Sequence, residues 1–536
     1  MIMKHCIFFI LFVCFGAQVP AQQLPIRTID VISYVFDLTV NDSNDSLVAI
    51  ATIQFKLLED AKSVTFDLTT ARPKGKGMIV TNVTEDKSVL SFRHVNNQIK
   101  IDLPKPARSG EERTLSIYYR GIPSDGLIIA KNKYNRRTFF ADNWPDRAHN
   151  WLACVDHPSD KAKVEFIITA PLHYQVIANG EQVEETNLNN NQKLTRYREQ
   201  VPLPMKITVI GIAEFAVQQA GVINGIPIQT WVYPEDRVKG FYDYAMATEI
   251  LPFFIQQIGP YPYRKLANVQ SKTIFGGMEN AGAIFYYENS ITGNRSIEPL
   301  IAHEIAHQWF GDMVTETHWS HVWLSEGFAT YLTQMYLESK YGMDTLKKRM
   351  NDDRKTIELF TGKKTGPVVD STITNYMDFL NANSYQKGSW VLHMLRTTIG
   401  DSVFRRGLRT YYNRFAGSNA STEDFRKVME ETSGTDLRQF FRQWLYTAGH
   451  PELVIQWTYD AKRKSVLLTI NQLQKQLFHF PLALEIIFPG NKTANRLIAI
   501  KEKETILAIP AGNKPIQVIA DPQVQLLFEG AVKELK

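Results

Sequence analysis

Three residues with metal-binding side chains are spaced between Ile301 and Gly327 so that they can hold one ion. His303 and His307 stand four positions apart, so on an α-helix both imidazoles project from one face, one turn apart. Glu326 follows His307 after 18 intervening residues, enough chain for a turn and a second helix to bring it back. Two imidazoles and one carboxylate leave a fourth tetrahedral position open for water, which is typical of a catalytic zinc ion.

Two helices must position these ligands. We expect the first helix to be capped by Ser296, to take Pro299 in its first turn and to end near Gly311. Within it, Glu304 lies between the two histidines, where a carboxylate can reach a water at the metal and act as general base. A second helical run, about Val322 to Tyr341, carries the third ligand.

A second motif, FGGMENAG, stands shortly before the histidine pair. Its adjacent glycines permit close approach of the backbone to an extended ligand, and its glutamate could meet a cation at the end of that ligand. The core of this motif consists of Gly276, Gly277, Met278, Glu279 and Asn280, and 22 residues separate it from His303.

Together the two motifs resemble those of the gluzincin zinc aminopeptidases, the family of aminopeptidase N. The family pattern is G-[AG]-M-E-N, then HExxH, then a glutamate after 18 residues; here Gly277 stands where many relatives have Ala. The resemblance implies one zinc ion per chain, held by the two histidines and Glu326, with Glu304 as catalytic base. It also implies that Glu279 binds the free α-amine of a peptide and that residues 276–280 bind the substrate.

A tyrosine further along matches the same family. Tyr385 opens the sequence YQKG, which resembles the family's Tyr-x-Lys-Gly run, whose tyrosine donates a hydrogen bond to the transition-state oxyanion. In the family a Gln or Glu also contacts the substrate amine, about ten residues before a segment similar to Trp151–Pro158. Residues 141–145 of this chain read ADNWP, without a clear match, so the sequence leaves that contact unassigned.

Hydrophobic patterning predicts a multidomain α+β protein. Residues 22–213 are rich in β-branched and aromatic residues and read as an all-β domain. Residues 214–449 turn helical after an opening strand, and the resemblance implies a thermolysin-like zinc catalytic domain there. Residues 450–536 return to a β pattern and suggest a small β-sandwich. No large carboxy-terminal helical domain of the kind many relatives have is expected.

The first 21 residues have the pattern of a secretory signal peptide, with an apolar run too short for a comfortable transmembrane helix. Cleavage would leave Cys154 as the remaining cysteine and no intrachain disulfide. We therefore expect an exported protein, in a bacterial periplasm or outside the cell, without stable membrane insertion. Retention of the segment as an anchor stays open.

Charge excludes one further class of function. The chain has 60 lysines and arginines against 55 acidic residues and no basic run, so nucleic-acid binding has no support. The expected partners are peptides with a free amino terminus. Oligomeric state, the preferred first residue and the limits on peptide length stay open.

Other readings of the same residues remain. A thermolysin-like endopeptidase would share the zinc motif, although Glu279 argues against it. A peptide-binding homologue without activity is disfavoured because the metal ligands and the base are all present. His318 and His321 could form a rival metal pair, but we expect both in the turn between the two helices. The sequence also leaves open an epoxide-hydrolase side activity, which one branch of the family has.

Overall fold

The computed structural model describes residues 28–72, 75–490 and 492–535. The predicted signal peptide, residues 1–21, lies outside these ranges, so export stays a prediction. Within the described ranges, helices long and apolar enough to cross a membrane are absent. Cys154 is a buried free thiol.

The amino-terminal region is built from strands whose inward side chains alternate with outward ones. In the first strand, Tyr34, Phe36 and Leu38 are buried while the residues between them are partly exposed, as expected for a sheet with one face on a core. The strands are β1 Ile29–Thr39, β2 Leu47–Leu57, β3 Ala61–Asp67, β4 Gly77–Glu85, β5 Ser88–Val89, β6 Phe92–Val95, β7 Gln98–Ala107, β8 Glu112–Ile122, β9 Leu127–Lys131, β10 Arg137–Ala141, β11 Ala162–Pro171, β12 Gln175–Ala178, β13 Glu181–Asn187, β14 Gln192–Leu203 and β15 Ile210–Ala213.

These strands form three sheets. The largest has eight strands in the order β13-β14-β11-β1-β2-β8-β4-β5, in which β1 pairs in parallel with β11 and antiparallel with β2. A three-stranded sheet, β3-β7-β6, and a four-stranded sheet, β12-β15-β10-β9, accompany it. The last strand of this region, β15, leads directly into the part of the chain that carries the site.

The central region combines a five-stranded sheet with packed helices. The sheet order is β16-β17-β18-β20-β19, so the short strand β19 forms its edge. The elements are β16 Ala216–Ile223, β17 Ile226–Val232, α1 Arg237–Tyr244, α2 Ala247–Gln257, β18 Leu266–Ser271, β19 Gly277–Met278, β20 Ala283–Tyr287, α3 Glu298–His307, β21 Thr315–Glu316, α4 Trp323–Tyr341, α5 Met343–Thr361, α6 Gly388–Ile399, α7 Asp401–Phe415, β22 Asn419–Ala420, α8 Thr422–Ser433 and α9 Arg438–Leu445.

The carboxy-terminal region consists of two further sheets, β27-β24-β23-β29 and β26-β25-β28. It packs on the helices of the central region, where His393 Nε2 lies 2.9 Å from the carbonyl oxygen of Val524 and Arg354 binds Asp521 at 2.9 Å. The strands are β23 Glu452–Asp460, β24 Ser465–Gln472, β25 Phe480–Phe488, β26 Lys492–Ile500, β27 Glu504–Pro510, β28 Gln517–Ala520 and β29 Glu529–Glu534.

The predicted order, a β-rich amino-terminal region followed by a helical region, is confirmed, and a β region follows at the carboxy terminus. One helix cap is wrong. Helix α3 begins at Glu298 with Ile297 at its cap position and no side-chain cap, so Ser296 does not cap it. Pro299 does lie in the first turn, and the helix ends at His307, before the turn that contains Gly311.

Helices α4 and α6 approach each other backbone to backbone at two glycines. A Cβ on Gly327 would lie 2.9 Å from the Cα of Gly388 and 3.1 Å from the carbonyl oxygen of Ser384. Because neither neighbour is a flexible side chain, Gly327→Ala is expected to push the helices apart and lower the free energy of unfolding by about 1–3 kcal/mol. Denaturant unfolding followed by circular dichroism measures this loss.

Gly362→Ala is the matched control, since that glycine is exposed, has helical backbone angles and has room for a methyl group. Equal stability of the two variants would show that the glycine contact between α4 and α6 is not needed.

Candidate active site

The predicted metal ligands converge on one point at the contact of helices α3 and α4. The Nε2 atoms of His303 and His307 lie 3.1 Å apart, and each lies 3.3 Å from the same carboxylate oxygen of Glu326. Donor atoms at the usual bond lengths of about 2.0–2.1 Å from a tetrahedral zinc ion would be about 3.3 Å apart. The spacing of the three donor atoms therefore fits such an ion.

Two contacts of the Nδ1 atom fix the orientation of the His307 ring. Its Nδ1 lies 3.0 Å from the hydroxyl of Ser325 and 3.2 Å from the carbonyl oxygen of Phe310. Contacts of this kind hold a metal-binding imidazole in one tautomer and one orientation. The Nε2 atom is therefore left to face the other two ligands.

The charge around the ligands also favours a cation. Burial lowers the pKa of His307, but the carboxylates of Glu279 and Glu326 outweigh it and raise this pKa to about 10. Burial raises the pKa of Glu304 well above its ordinary value, with opposing attraction from His307 and added repulsion from the other two carboxylates. Three buried carboxylates around two imidazoles thus draw positive charge into the site.

Glu304 packs directly against the edge strand of the sheet. It is buried, and a Cβ on Gly277 would overlap with its carboxylate. In this structure position 277 therefore has no room for a methyl group, and the glycine is what allows Glu304 to lie beside β19.

Strand β19 offers a free edge on the side away from the sheet. Among the residues that the structure describes, Gly277 and Met278 pair with β20 alone, opposite Tyr286 and Phe285, and the carbonyl of Gly276 accepts from the N–H of Tyr287 at 3.1 Å. An extended peptide can add to such an edge through backbone hydrogen bonds.

Glu279 follows this strand and is held in place through helix α3. The side-chain amide of Gln308 donates to the carbonyl oxygen of Glu279 at 2.6 Å and to Asp312 at 2.9 Å, while its oxygen accepts from the N–H of Gly282 at 2.8 Å. Because Gln308 adjoins His307, the loop with Glu279 and the helix with the metal ligands keep a fixed spacing.

One oxygen of the Glu279 carboxylate lacks a hydrogen-bond partner among the described residues. The residue is 5% exposed, and its Oε1 is buried without a hydrogen bond to any described residue. Burial raises the pKa of Glu279, while His307 and Lys206 oppose the shift, but the ammonium of Lys206 already donates to Glu316 at 2.6 Å. A buried, unpaired carboxylate oxygen is costly unless a ligand donor meets it.

The residues on either side of Glu279 have different surroundings. Met278 is buried and lines the cavity beside Glu279. Asn280 is fully buried, and both polar atoms of its amide lack a partner among the described residues.

Tyr385 lies beside the ligands, in a helical turn just before α6. Its ring stacks on that of His303, with centroids 6.0 Å apart and planes 11° apart. Burial and the negative charge of Glu326 raise the pKa of Tyr385 well above its ordinary value, so the hydroxyl keeps its proton and can donate it in a hydrogen bond.

A cavity of about 410 Å³ joins these groups. Besides the ligands, Glu304 and Tyr385, it is lined by the segment around β19 and by residues of three helices and two further loops. These lining residues are Trp144, Phe275, Gly276, Gly277, Met278, Glu279, Pro299, Leu300, Thr330, Thr333, Gln334, Arg349 and Leu380.

The segment 141–145, for which the sequence left the amine contact unassigned, brings Trp144 to the cavity. Asp142 and Asn143 turn away from the cavity, since Asp142 binds Arg147 at 2.7 Å and Asn143 accepts from the indole of Trp151 at 2.9 Å. Trp144 is the residue of that segment that lines the cavity, packed edge to face against Phe275 at 5.8 Å. This part of the cavity wall is therefore aromatic.

The rival histidine pair serves the connecting turn. His318 accepts from the N–H of Ser320 at 3.1 Å, and His321 lies 2.9 Å from the hydroxyl of Thr422. Neither belongs to a cluster of possible metal ligands in the described part of the chain.

Several cavity residues were missed by sequence reasoning. Thr330, Thr333 and Gln334 follow Glu326 by four, seven and eight positions, a spacing that places them on one helix face and could have been noticed. Trp144 and Arg349 carry no such signal, because tertiary packing alone brings them to the cavity.

Two regions of the chain match known protein domains. The peptidase M1 N-terminal domain matches residues 31–205, and the peptidase family M1 domain matches residues 242–444, which include every ligand and Glu304.

The relatives are aminopeptidases of distant organisms. Aminopeptidase M1-A of Oryza sativa subsp. japonica is 25% identical over 69% of this chain and 43% of its own length. Probable aminopeptidase 1 of Sulfurisphaera tokodaii is 25% identical over 81% of this chain and 56% of its own length. Aminopeptidase A of Gloydius brevicauda is 28% identical over 66% of this chain and 39% of its own length.

The chain thus spans about half the length of the curated relatives it matches. In this chain the M1 N-terminal domain precedes the M1 domain, as expected for the family. The two matched regions include the residues that converge in the cavity. The chain accordingly belongs to peptidase family M1, the gluzincin family of aminopeptidase N.

Proposed function

We propose that the protein is a zinc-dependent aminopeptidase that removes single residues from the amino termini of peptides. The observation that carries the proposal is the buried, unpartnered carboxylate oxygen of Glu279 beside the three metal ligands. The ammonium group at the start of a peptide is the complement of this carboxylate. Anchored there, a peptide has its first peptide bond next to the ligand cluster.

His303, His307 and Glu326 would hold the zinc ion. The ion, when bound, supplies Lewis-acid activation of a water molecule and of the scissile carbonyl group. The residues around it do the rest of the chemistry.

Glu304 is the proton carrier. Its carboxylate takes a proton from the attacking water and delivers it to the departing amine, a role worth about 10²–10⁴-fold in rate. Burial and neighbouring carboxylates raise the pKa of Glu304 above its ordinary value, which favours the acceptance of a proton.

Two further groups orient the peptide and stabilise its transition state. The free edge of β19, at Gly277 and Met278, pairs with the substrate backbone as an added strand. The hydroxyl of Tyr385, which lines the same cavity, donates to the developing oxyanion.

The test is hydrolysis of a panel of aminoacyl chromogenic amides, each beside its N-acetylated counterpart, with zinc-loaded and chelated protein. Cleavage of the free-amine substrates alone, lost on chelation and restored by zinc, is the expected result. The same panel gives the preferred first residue.

Other outcomes point elsewhere. Equal cleavage of acetylated substrates would contradict the role of Glu279 and favour an endopeptidase. No cleavage of either kind by zinc-loaded protein, together with peptide binding, would favour a homologue without activity.

A further inference from the structure

The cavity continues past the metal ligands along helices α4 and α5. Thr330, Thr333 and Gln334 lie on the same face of α4 as Glu326, and Arg349 of α5 closes this end. None of these four residues has a part in the chemistry proposed above. Their polar character differs from that of the aromatic pair Trp144 and Phe275, which also lines the cavity.

The two ends of the cavity lie on opposite sides of the metal ligands. Helices α3 and α4 run antiparallel, because Ser325 contacts His307 at 3.0 Å while Tyr336 donates to Glu298 at 2.7 Å. A ligand atom of Glu279 lies within 4.8 Å of one of His307, at the end of α3. Gln334 lies two turns along α4, beside the start of α3.

A peptide anchored at Glu279 therefore extends toward Arg349. Its first residue lies on the Glu279 side of the scissile bond, and the leaving part runs past Pro299 and Leu300, which line the cavity at the first turn of α3. The carboxyl end of a short peptide would come to lie near the guanidinium.

Arg349 is oriented toward a ligand by a hydrogen-bonded pair. Its Nε donates to the side-chain oxygen of Gln334 at 2.5 Å, and the amide nitrogen of Gln334 donates to Asp353 at 3.0 Å. The two terminal nitrogens of Arg349 donate to no group in residues 28–72, 75–490 or 492–535. A half-buried guanidinium with both terminal nitrogens available matches the two oxygens of a carboxylate.

Helix geometry sets the length of peptide that fits. From Glu326 to Gln334 the helix rises about 12 Å over eight residues, and an extended peptide spans about 3.3–3.6 Å per residue. The hydrogen bond from the guanidinium to the carboxylate covers about 3 Å of this distance, so a carboxylate bound by Arg349 is two or three residues beyond the scissile bond.

We propose that Arg349 binds the carboxy-terminal carboxylate of tripeptides and tetrapeptides, which makes short peptides with both termini free the preferred substrate class. The inference rests on the proposed aminopeptidase function. A dipeptide is too short to reach the guanidinium, and a longer peptide has no terminal carboxylate at that point.

The test uses peptides of two to eight residues that begin with the first residue preferred in the chromogenic panel, each as a free acid and as a carboxy-terminal amide. For the wild-type protein, kcat/KM of the tripeptide and tetrapeptide acids is expected to exceed that of their amides about 10-fold or more, mainly through KM. The ratio should approach one for the dipeptide and the octapeptide.

Arg349→Gln removes the charge and should bring the acid-to-amide ratio of the tripeptide close to one. Arg349→Lys keeps the charge but loses the paired geometry, so an intermediate ratio is expected. Lys348→Gln is the matched control, because Lys348 is the exposed neighbour on the same helix and its loss removes the same charge. Its ratio should equal that of the wild type.

The wild-type comparison decides the question even if an Arg349 variant does not fold. Equal rates for acids and amides at every length, with the chromogenic amides cleaved, would overturn the role of Arg349 and leave the aminopeptidase proposal in place. No hydrolysis of chromogenic amides or peptides would overturn both. A ratio unchanged in a folded Arg349→Gln protein would also contradict the assignment.

Discussion

Glu304→Gln is expected to lower kcat on the best chromogenic amide by about 10²–10⁴-fold while zinc stays bound. The amide has the shape of the carboxylate but cannot accept the proton of water. Glu304 lies between His303 and His307 on α3 without being one of the three converging donors, so the metal ligands keep their places. Steady-state kinetics and elemental analysis of zinc on the same preparation give both quantities.

The control for this variant is Glu249→Gln, which removes a glutamate of the exposed surface that pairs with Lys340 and Arg295. Exposed pairs contribute little, so this protein should keep its activity. If zinc-loaded Glu304→Gln protein turned over at the wild-type rate, the assignment of the general base would be wrong.

Glu279→Gln is expected to lower kcat/KM for free-amine substrates by about 10²-fold or more. The reason is that the ammonium group would enter a buried site without its counter-charge, and breaking a buried charge pair is costly. N-acetylated substrates never used that charge, so the rates for the two substrate classes should converge. The ratio of kcat/KM for each free and acetylated pair measures the effect.

The folded protein should tolerate this change well. Glu279 is buried near Glu304 and Glu326, and this burial raises its pKa, so removal of its charge relieves repulsion among three carboxylates. An unchanged melting temperature would separate the loss of anchoring from a loss of folding. An equal drop for free and acetylated substrates would show that Glu279 does not bind the amine.

Sequence reasoning succeeded where the helical period alone decides position. The spacing of four residues places His303 and His307 on one face of a helix. A second helical run was expected to carry Glu326, and it is present as α4, which packs antiparallel to α3. The capping box of α8, formed by Ser421 and Asp424, is a feature of the same local kind, because both residues belong to the start of one helix.

The cap of α3 could not be predicted because a distant residue determines it. The carboxylate of Asp243 accepts from the backbone N–H groups of Thr292, Gly293 and Arg295. Those bonds hold the chain that leads into α3, and the first residue of the helix is Glu298, two positions after Ser296. A local preference for serine at a cap gives way to such tertiary contacts.

Likewise, the positions of two cavity residues, Arg349 and Trp144, depend on packing between elements. Arg349 belongs to α5, whose sequence pattern is that of a helix with a solvent-exposed face. Only the contact of Arg349 with Gln334 places it at the cavity. Trp144 comes from the amino-terminal β region, more than 150 residues before the metal ligands in the sequence. Neither position follows from spacing within one motif.

The contact of Asp142 has a consequence for the modularity of the enzyme. This fully buried residue of the amino-terminal region accepts from the hydroxyl of Thr273 at 3.1 Å and from the N–H of Ile274 at 3.0 Å, just before the edge strand β19. The amino-terminal region therefore helps to hold β19, the strand that we propose pairs with the substrate backbone. In chimeras between relatives, exchange of that region is expected to alter selectivity even when every catalytic side chain is retained.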